Sequence, residues 1–139
     1  QQVFLEQWDM LKDASDGATF LLNTKVDKDH VWDSLPEKVQ KDLINKKIKE
    51  SPNPVIVCGD FNDVPNSYTY FTIKENLQDA FLKKGSGFGR TFRYISPTLR
   101  IDYIMADKKF KVKQFNILEL TYSDHYPVIA DFDMENLSE

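Results

Sequence analysis

Residues 54–63 have the sequence PVIVCGDFND, in which a short apolar run ends in a polar segment. No polar residue interrupts residues 55–58, and continuous apolarity is typical of a central strand that is buried on both faces. Glycine, aspartate and asparagine favour turns, so residues 59–65 are predicted to form a loop after this strand. The loop carries Asp60 and Asn62 and therefore puts an acid and an amide at one edge of a sheet.

A helix is predicted immediately upstream, at residues 35–49. Ser34 or Asp33 is the candidate N-cap, and Pro36 suits the first turn. The apolar residues of this segment fall on one helical stripe, which comprises Leu35, Val39, Leu43, Ile44 and Ile48. We therefore expect an amphipathic helix that packs on one face of the sheet.

The other segments predict an α+β fold. Residues 66–82 are helical in part, and residues 85–89 form a glycine-rich flexible loop. A short helix is predicted at residues 3–11, and strands are predicted at residues 18–23, 91–95, 100–106, 110–120 and 126–132. This order indicates a mainly antiparallel sheet covered by helices on one face. The other face would need a partner that this chain does not supply.

The composition narrows the class of protein. The chain has 139 residues and one cysteine, which suits one domain or part of one and excludes an internal disulfide. No apolar run approaches the roughly 20 residues of a transmembrane helix. A net charge of −4 argues against a surface that binds nucleic acid throughout. The chain begins at Gln1 rather than Met, which predicts a piece of a longer protein, and its compartment is not predicted.

Two further clusters put acids near the ends of predicted strands. In RIDYI, residues 100–104, Asp102 lies among apolar neighbours. Burying a carboxylate costs several kcal/mol unless it is paired, so Asp102 needs a partner, and a histidine is a natural one. In SDHYPV, residues 123–128, Asp124 and His125 are adjacent at the start of a strand. Each cluster alone is more often an ordinary turn or strand end.

Together and in this order, GDFN, RIDYI and SDHYPV resemble the endonuclease/exonuclease/phosphatase superfamily of DNase I-like proteins, and the bacterial members most of all. The resemblance covers residues 54–132, the motif-bearing core. It implies a four-layer sandwich of two sheets with helices outside. Residues 1–139 would then be a single partial domain, the C-terminal half of that sandwich.

The resemblance also implies the roles of the site residues. Asp60 would orient or deprotonate the attacking water, and Asn62 would donate hydrogen bonds to the phosphate. His125 would contact a phosphate oxygen, while Asp102 would fix its tautomer. Asp124 would lie near a divalent metal, Mg²⁺ or Mn²⁺. The implied activity is metal-dependent hydrolysis of a phosphate ester.

Substrate recognition is expected from the loop at residues 85–100. Its glycines permit close backbone approach, and Arg90 and Arg93 suit a phosphate group. The substrate could belong to a nucleic acid, a phospholipid head group or an inositol phosphate, and the motifs do not distinguish among these three.

Several elements of the implied site have no counterpart in this chain. The glutamate and asparagine that bind the metal in the N-terminal half have no matching motif. A catalytic histidine in a pattern like NTHL is also absent. Either Lys25 stands in its place, or the matching strand lies upstream of Gln1 and residues 1–34 are an insertion. We therefore expect the full-length parent to be the enzyme and this chain alone to be nearly inactive.

Two alternative functions stay open. The chain could be a non-catalytic phosphate-binding module that kept the fold. It could also bind nucleic acid through the basic residues of 83–100, with Phe88, Phe92 and Tyr94 as stacking groups. If the chain is a half-domain, the sheet face that normally meets the first sheet is apolar and exposed, which predicts self-association.

Overall fold

The computed structural model describes residues 19–20 and 36–134. The predicted helix at residues 3–11 lies outside the described residues, as does most of the predicted strand at 18–23. The helices are α1 (Glu37–Glu50), α2 (Tyr68–Lys74) and α3 (Ala80–Lys84). The strands are β1 (Thr19–Phe20), β2 (Val55–Asp60), β3 (Gln78–Asp79), β4 (Asp102–Ala106), β5 (Phe110–Ile117) and β6 (Val128–Met134). No described helix has the length and apolarity needed to cross a membrane.

Four of the strands form one sheet, in the order β1-β2-β4-β3. β2 is parallel to β1 and antiparallel to β4, so it lies in the interior of the sheet as its apolar sequence predicts. The strand is longer than predicted. Gly59 and Asp60, expected in a loop, pair with Tyr103 and Asp102 of β4 and continue the ladder.

Helices α1 and α2 cover one face of this sheet. The core on that face comprises Ile44, Val55, Val57, Phe61, Tyr70, Ile73, Leu77, Tyr103 and Met105. The predicted stripe on α1 is only partly correct, because Val39 and Leu43 are each 39% exposed while Ile44 is 2% exposed. Pro36 is the N-cap residue and provides no side-chain cap.

Strands β5 and β6 form a separate antiparallel pair that covers the opposite face. Ile56 and Ile104 point to this face and are each 9% exposed, because they pack in one cluster with Phe110, Val112 and Phe115. The expectation that this face would be bare is therefore wrong along β2 and β4. Self-association stays a prediction, and the face of β2 and β4 does not support it because β5 and β6 cover that face.

The predicted strand at residues 91–95 is wrong. Phe92 makes one isolated bridge to His125 and belongs to no named strand. The chain turns just beyond it, since Ile95 has a φ of 72° and the Ser96 N–H donates to the Tyr94 carbonyl at 2.8 Å. A left-handed residue cannot continue an extended strand.

The basic stretch at residues 83–100 contributes one arginine to the core. Arg100 is 4% exposed and donates to Asp79 at 2.7 Å, and the Tyr70 hydroxyl donates to the same carboxylate at 2.8 Å. Burial, together with the bond to Asp79, raises the pKa of Tyr70 to about 12, so the phenol stays a donor at neutral pH. Arg100 thus has a structural place in the core, and almost none of its surface reaches solvent.

Replacing Arg100 tests this assignment. In Arg100→Met the buried Asp79 carboxylate loses its cation, so the free energy of unfolding should fall by about 3–5 kcal/mol. Urea denaturation measures the change. The control is Lys113→Met, whose exposed pair with Asp133 should contribute less than about 1 kcal/mol. Equal small losses in both variants would contradict a structural role for Arg100.

Candidate active site

The site begins where two acids meet at the edge of the sheet. Asp60, the last residue of β2, and Asp102, the first residue of β4, are direct partners in the ladder. Side chains alternate along a strand, so both carboxylates lie on the face that carries Ile56 and Ile104. Phe61 holds the chain in place after Asp60, since it is buried and its N–H donates to the Ile101 carbonyl at 2.8 Å.

His125 contacts both acids. Its Nδ1 lies 2.9 Å from Asp102 Oδ2 and 3.1 Å from Asp102 Oδ1, which is hydrogen-bond distance. Its Nε2 lies 3.9 Å from Asp60 Oδ2, beyond that distance. The structure therefore brings together Asp102 and the histidine that its apolar surroundings required.

The segment around Phe92 holds His125 in position. The Tyr126 N–H donates to the Thr91 carbonyl at 2.7 Å, and the Arg93 N–H donates to the Asp124 carbonyl at 2.7 Å. The ring of Phe92 meets the imidazole edge to face with centroids 4.9 Å apart. These contacts fix both the backbone and the ring plane of His125.

Burial and the neighbouring charges shift the pKa values of this pair. Burial raises the pKa of Asp102, and hydrogen bonds from Thr91 and His125 offset part of that rise. Partial burial lowers the pKa of His125, but its bond to Asp102 and the charges of Asp102, Asp60 and Asp124 more than reverse this, so the net shift is upward. The neighbouring carboxylates therefore raise the pKa of His125 and favour its imidazolium form more than solvent does.

The other predicted site residues surround this pair. Asn62 is exposed in a left-handed conformation with a φ of 51°, and its N–H donates to Asp60 Oδ1 at 2.8 Å. Asp124 is also exposed, and its carboxylate accepts a hydrogen bond from Ser123 at 3.2 Å. The Asn62 loop thus fixes the Asp60 carboxylate.

Within residues 36–134, the two acids and the histidine form a group that could hold a metal ion. One such atom each from Asp60, Asp102 and His125 lies within 4.8 Å of the others. Asp124, the predicted ligand, is outside this group of described residues, although its charge acts on His125.

The two candidate substrate-binding arginines differ in their contacts. Arg90 donates to the carbonyls of Phe92 and Arg93 and lies over the ring of Tyr126, so its guanidinium stabilises the turn. Arg93 lies 5.9 Å from the exposed ring of Tyr94. A groove of about 330 Å³ lies beside Arg90 and is lined by residues of 81–97 and 115–119.

Sequence reasoning missed Thr91. The residue is fully buried, and its hydroxyl accepts the N–H groups of Ile101 and Asp102 at 3.0 and 3.1 Å. A threonine within a predicted strand is unremarkable, and no local pattern indicates that its partners lie ten residues away.

Fold and site together define an α+β half-sandwich with two carboxylates and an imidazole at its strand ends. The model of the Endonuclease/Exonuclease/phosphatase family matches residues 22–125, and the chain therefore belongs to this family. The sequence resemblance to this superfamily is confirmed.

Several solved structures share the fold of this chain. A family member from Bacteroides thetaiotaomicron has a TM-score of 0.61 at 26% identity, covering 73% of this chain and 46% of that one. Another from Bacteroides vulgatus has a TM-score of 0.63 at 27% identity, covering 89% and 53%. A mannosyl-6-phosphatase of Bacteroides thetaiotaomicron has a TM-score of 0.58 at 22% identity, covering 84% and 51%. The chain thus spans about half the length of each.

A different likeness appears among curated proteins. A pyruvate-flavodoxin oxidoreductase of Trichormus variabilis is 48% identical over 46 residues, which is 33% of this chain and 4% of that protein. A second, from Rhodospirillum rubrum, is 50% identical over 46 residues, again 4% of its length. Matches over so small a part of these oxidoreductases assign no activity to this chain.

The pKa of His125 provides a test of the pair. Asp102→Asn removes the anion that favours imidazolium, so the pKa of His125, measured from its ring resonances by NMR, should fall. Because the folded-state pKa is raised, imidazolium stabilises the fold below the ordinary value of 6.5, and this stabilisation is lost as pH rises through the folded-state pKa. The variant should lose that pH dependence.

The matched control is Asp133→Asn, which removes a carboxylate from the exposed pair of β6 with Lys113. It should leave the titration of His125 unchanged. A pKa that falls equally in both variants would show that overall charge, and not the bond from Asp102, sets the value.

Proposed function

We propose that this chain carries one half of the active site of a metal-dependent phosphoesterase. The observation that carries the proposal is the position of His125, bonded through Nδ1 to Asp102 with Nε2 near Asp60. Membership of the family supports hydrolysis of a phosphate ester, and the fold shared with a mannosyl-6-phosphatase is consistent with it.

In the proposed reaction, His125 binds the phosphate. Asp102 accepts a hydrogen bond from Nδ1–H and favours the imidazolium, whose Nε2–H would donate to a phosphate oxygen. Asp60 lies 3.9 Å from that nitrogen and is suited to orient a water, or take its proton, beside the same phosphorus. Asn62 holds Asp60 through its backbone and presents its exposed amide to the phosphate.

The carboxylates near His125 fit a divalent cation, because Mg²⁺ prefers oxygen ligands and often uses only one or two protein carboxylates. Asp124, exposed beside His125, is the proposed ligand, and Asp60 offers a second oxygen. A bound cation would neutralise charge on the phosphate oxygens. The proposed metal is Mg²⁺ or Mn²⁺.

The proposed site needs residues beyond this chain. The part of this chain that aligns covers only 46% and 53% of two solved relatives, and the glutamate, asparagine and second histidine implied by the resemblance have no matching motif here. Groups that act as a unit lose most of their effect when one is missing. We therefore propose that the chain alone has little or no turnover.

Nucleic-acid binding is the weaker candidate. Of the basic residues in 83–100, Arg100 is buried against Asp79 and Arg90 is bonded to backbone carbonyls. Only Lys83, Lys84 and Arg93 are left to meet a nucleic-acid backbone, against a net charge of −4. Affinity for nucleic acid rises with the number of phosphates neutralised, so this surface is a poor electrostatic match.

Titration with Mg²⁺ and inorganic phosphate tests the proposal. The ring resonances of His125 should shift when phosphate is added in the presence of Mg²⁺, and Asp124→Ala should reduce the metal-dependent part of the shift. Assays with p-nitrophenyl phosphate and its bis-ester should show almost no turnover by the isolated chain.

The matched control is Asp131→Ala, which removes a carboxylate from β6 away from the strand end. It should respond like the unchanged chain. A folded protein whose His125 responds to neither ligand would overturn the proposed site. Robust Mg²⁺-dependent turnover by the chain alone would overturn the proposed need for a second half.

A further inference from the structure

Thr91 lies where three segments of the chain meet, and all its hydrogen-bonding groups face protein. Its side chain has no exposed surface. Its N–H donates to the Leu99 carbonyl at 2.9 Å, and its carbonyl accepts the Tyr126 N–H at 2.7 Å. The hydroxyl oxygen accepts two further N–H groups, from Ile101 at 3.0 Å and from Asp102 at 3.1 Å.

The hydroxyl determines how β4 begins. Ile101 and Asp102 stand at the start of this strand, where one oxygen with two lone pairs satisfies both amides. The carboxylate of Asp102 extends from the same residue toward His125. Moving the backbone of Asp102 by even a fraction of an ångström would therefore change the Nδ1 to carboxylate distance of 2.9 Å.

The backbone of Thr91 and its neighbour determine where His125 lies. Tyr126, which follows the histidine, is bonded to the Thr91 carbonyl. Phe92 bridges His125 through the backbone and packs its ring against the imidazole. One short segment thus holds the acid through a side chain and the imidazole through the main chain.

We propose that Thr91 is a positioning residue that sets the geometry of the Asp102–His125 pair through its hydroxyl. The catalytic consequence rests on the proposed function, because only a phosphoesterase needs the pair in this arrangement. The geometric part does not, and it can be tested on the chain without substrate.

The test compares Thr91→Val with Thr91→Ser. Valine keeps the shape but removes the acceptor for both amides, whereas serine keeps the hydroxyl. In metal-free buffer above the pKa of His125, ring nitrogen shifts from proton–nitrogen NMR spectra report the tautomer. We expect the Nδ1–H form in the unchanged chain and in Thr91→Ser, and its loss in Thr91→Val. The Asp102 amide resonance should move with it.

The matched control is Thr98→Val, an exposed threonine in the same loop whose hydroxyl lies 3.1 Å from that of Ser96. It should leave the tautomer unchanged. If Thr91→Val does not fold, Thr91→Cys replaces it, since a thiol is a weak acceptor and should reduce the Nδ1–H population partially. A folded Thr91→Val or Thr91→Cys with an unchanged His125 tautomer would overturn the proposal.

The two proposals fail separately. Loss of the tautomer in Thr91→Val, with no response of His125 to Mg²⁺ and phosphate in the unchanged chain, would support positioning and overturn the phosphoesterase site. If folded Thr91→Val kept both the normal response to phosphate and the His125 tautomer, the phosphoesterase site would be supported and positioning by Thr91 would be overturned.

Discussion

The register between β2 and β4 is the constraint on which both the core and the site depend. In this register Asp60 lies opposite Asp102, and Val57 lies opposite Met105. A slip of one residue would turn every side chain of a strand to the other face of the sheet. It would bring Tyr103 and Met105 out of the core below α1 and carry Asp102 away from His125. The apolar residues that select the register therefore also place the two carboxylates.

Two buried carboxylates in this chain are compensated in different ways. Asp79 has no exposed surface on its side chain and is paired with Arg100, which stays charged at any physiological pH. Asp102 is slightly more exposed, at 15%, and is paired with His125, whose imidazole can gain or lose a proton. The Asp79–Arg100 pair is almost completely buried beside three aromatic rings, whereas the partly exposed imidazole of His125 can exchange protons with solvent. This difference separates the structural pair from the candidate catalytic one.

The sequence predicted the features that depend on local pattern. The apolar run of residues 55–58 predicted a central strand, and the apolar surroundings of Asp102 required a partner that His125 provides. What it missed depends on contacts between distant residues. The partner of Arg100 lies 21 residues upstream, and the hydroxyl of Thr91 bonds to amides 10 and 11 residues away. Likewise, helical spacing shows which residues share a stripe but not how far the sheet extends beneath it, and so Val39 remained partly exposed.

The Asp102–His125 pair and a bound metal ion would need residues from different parts of the fold. Asp102 and His125 need only β4, the segment at Thr91 and the approach to β6, all within the described residues. A magnesium ion needs about six oxygen ligands in near-octahedral geometry. Among the described residues, the group of possible ligands at His125 offers two carboxylates and one ring nitrogen. On the proposed function, this half therefore contributes phosphate binding and proton handling by itself, while full coordination of the cation requires side chains from the other sheet. Activity would then require both sheets, because each half of the fold would supply different groups of the active site.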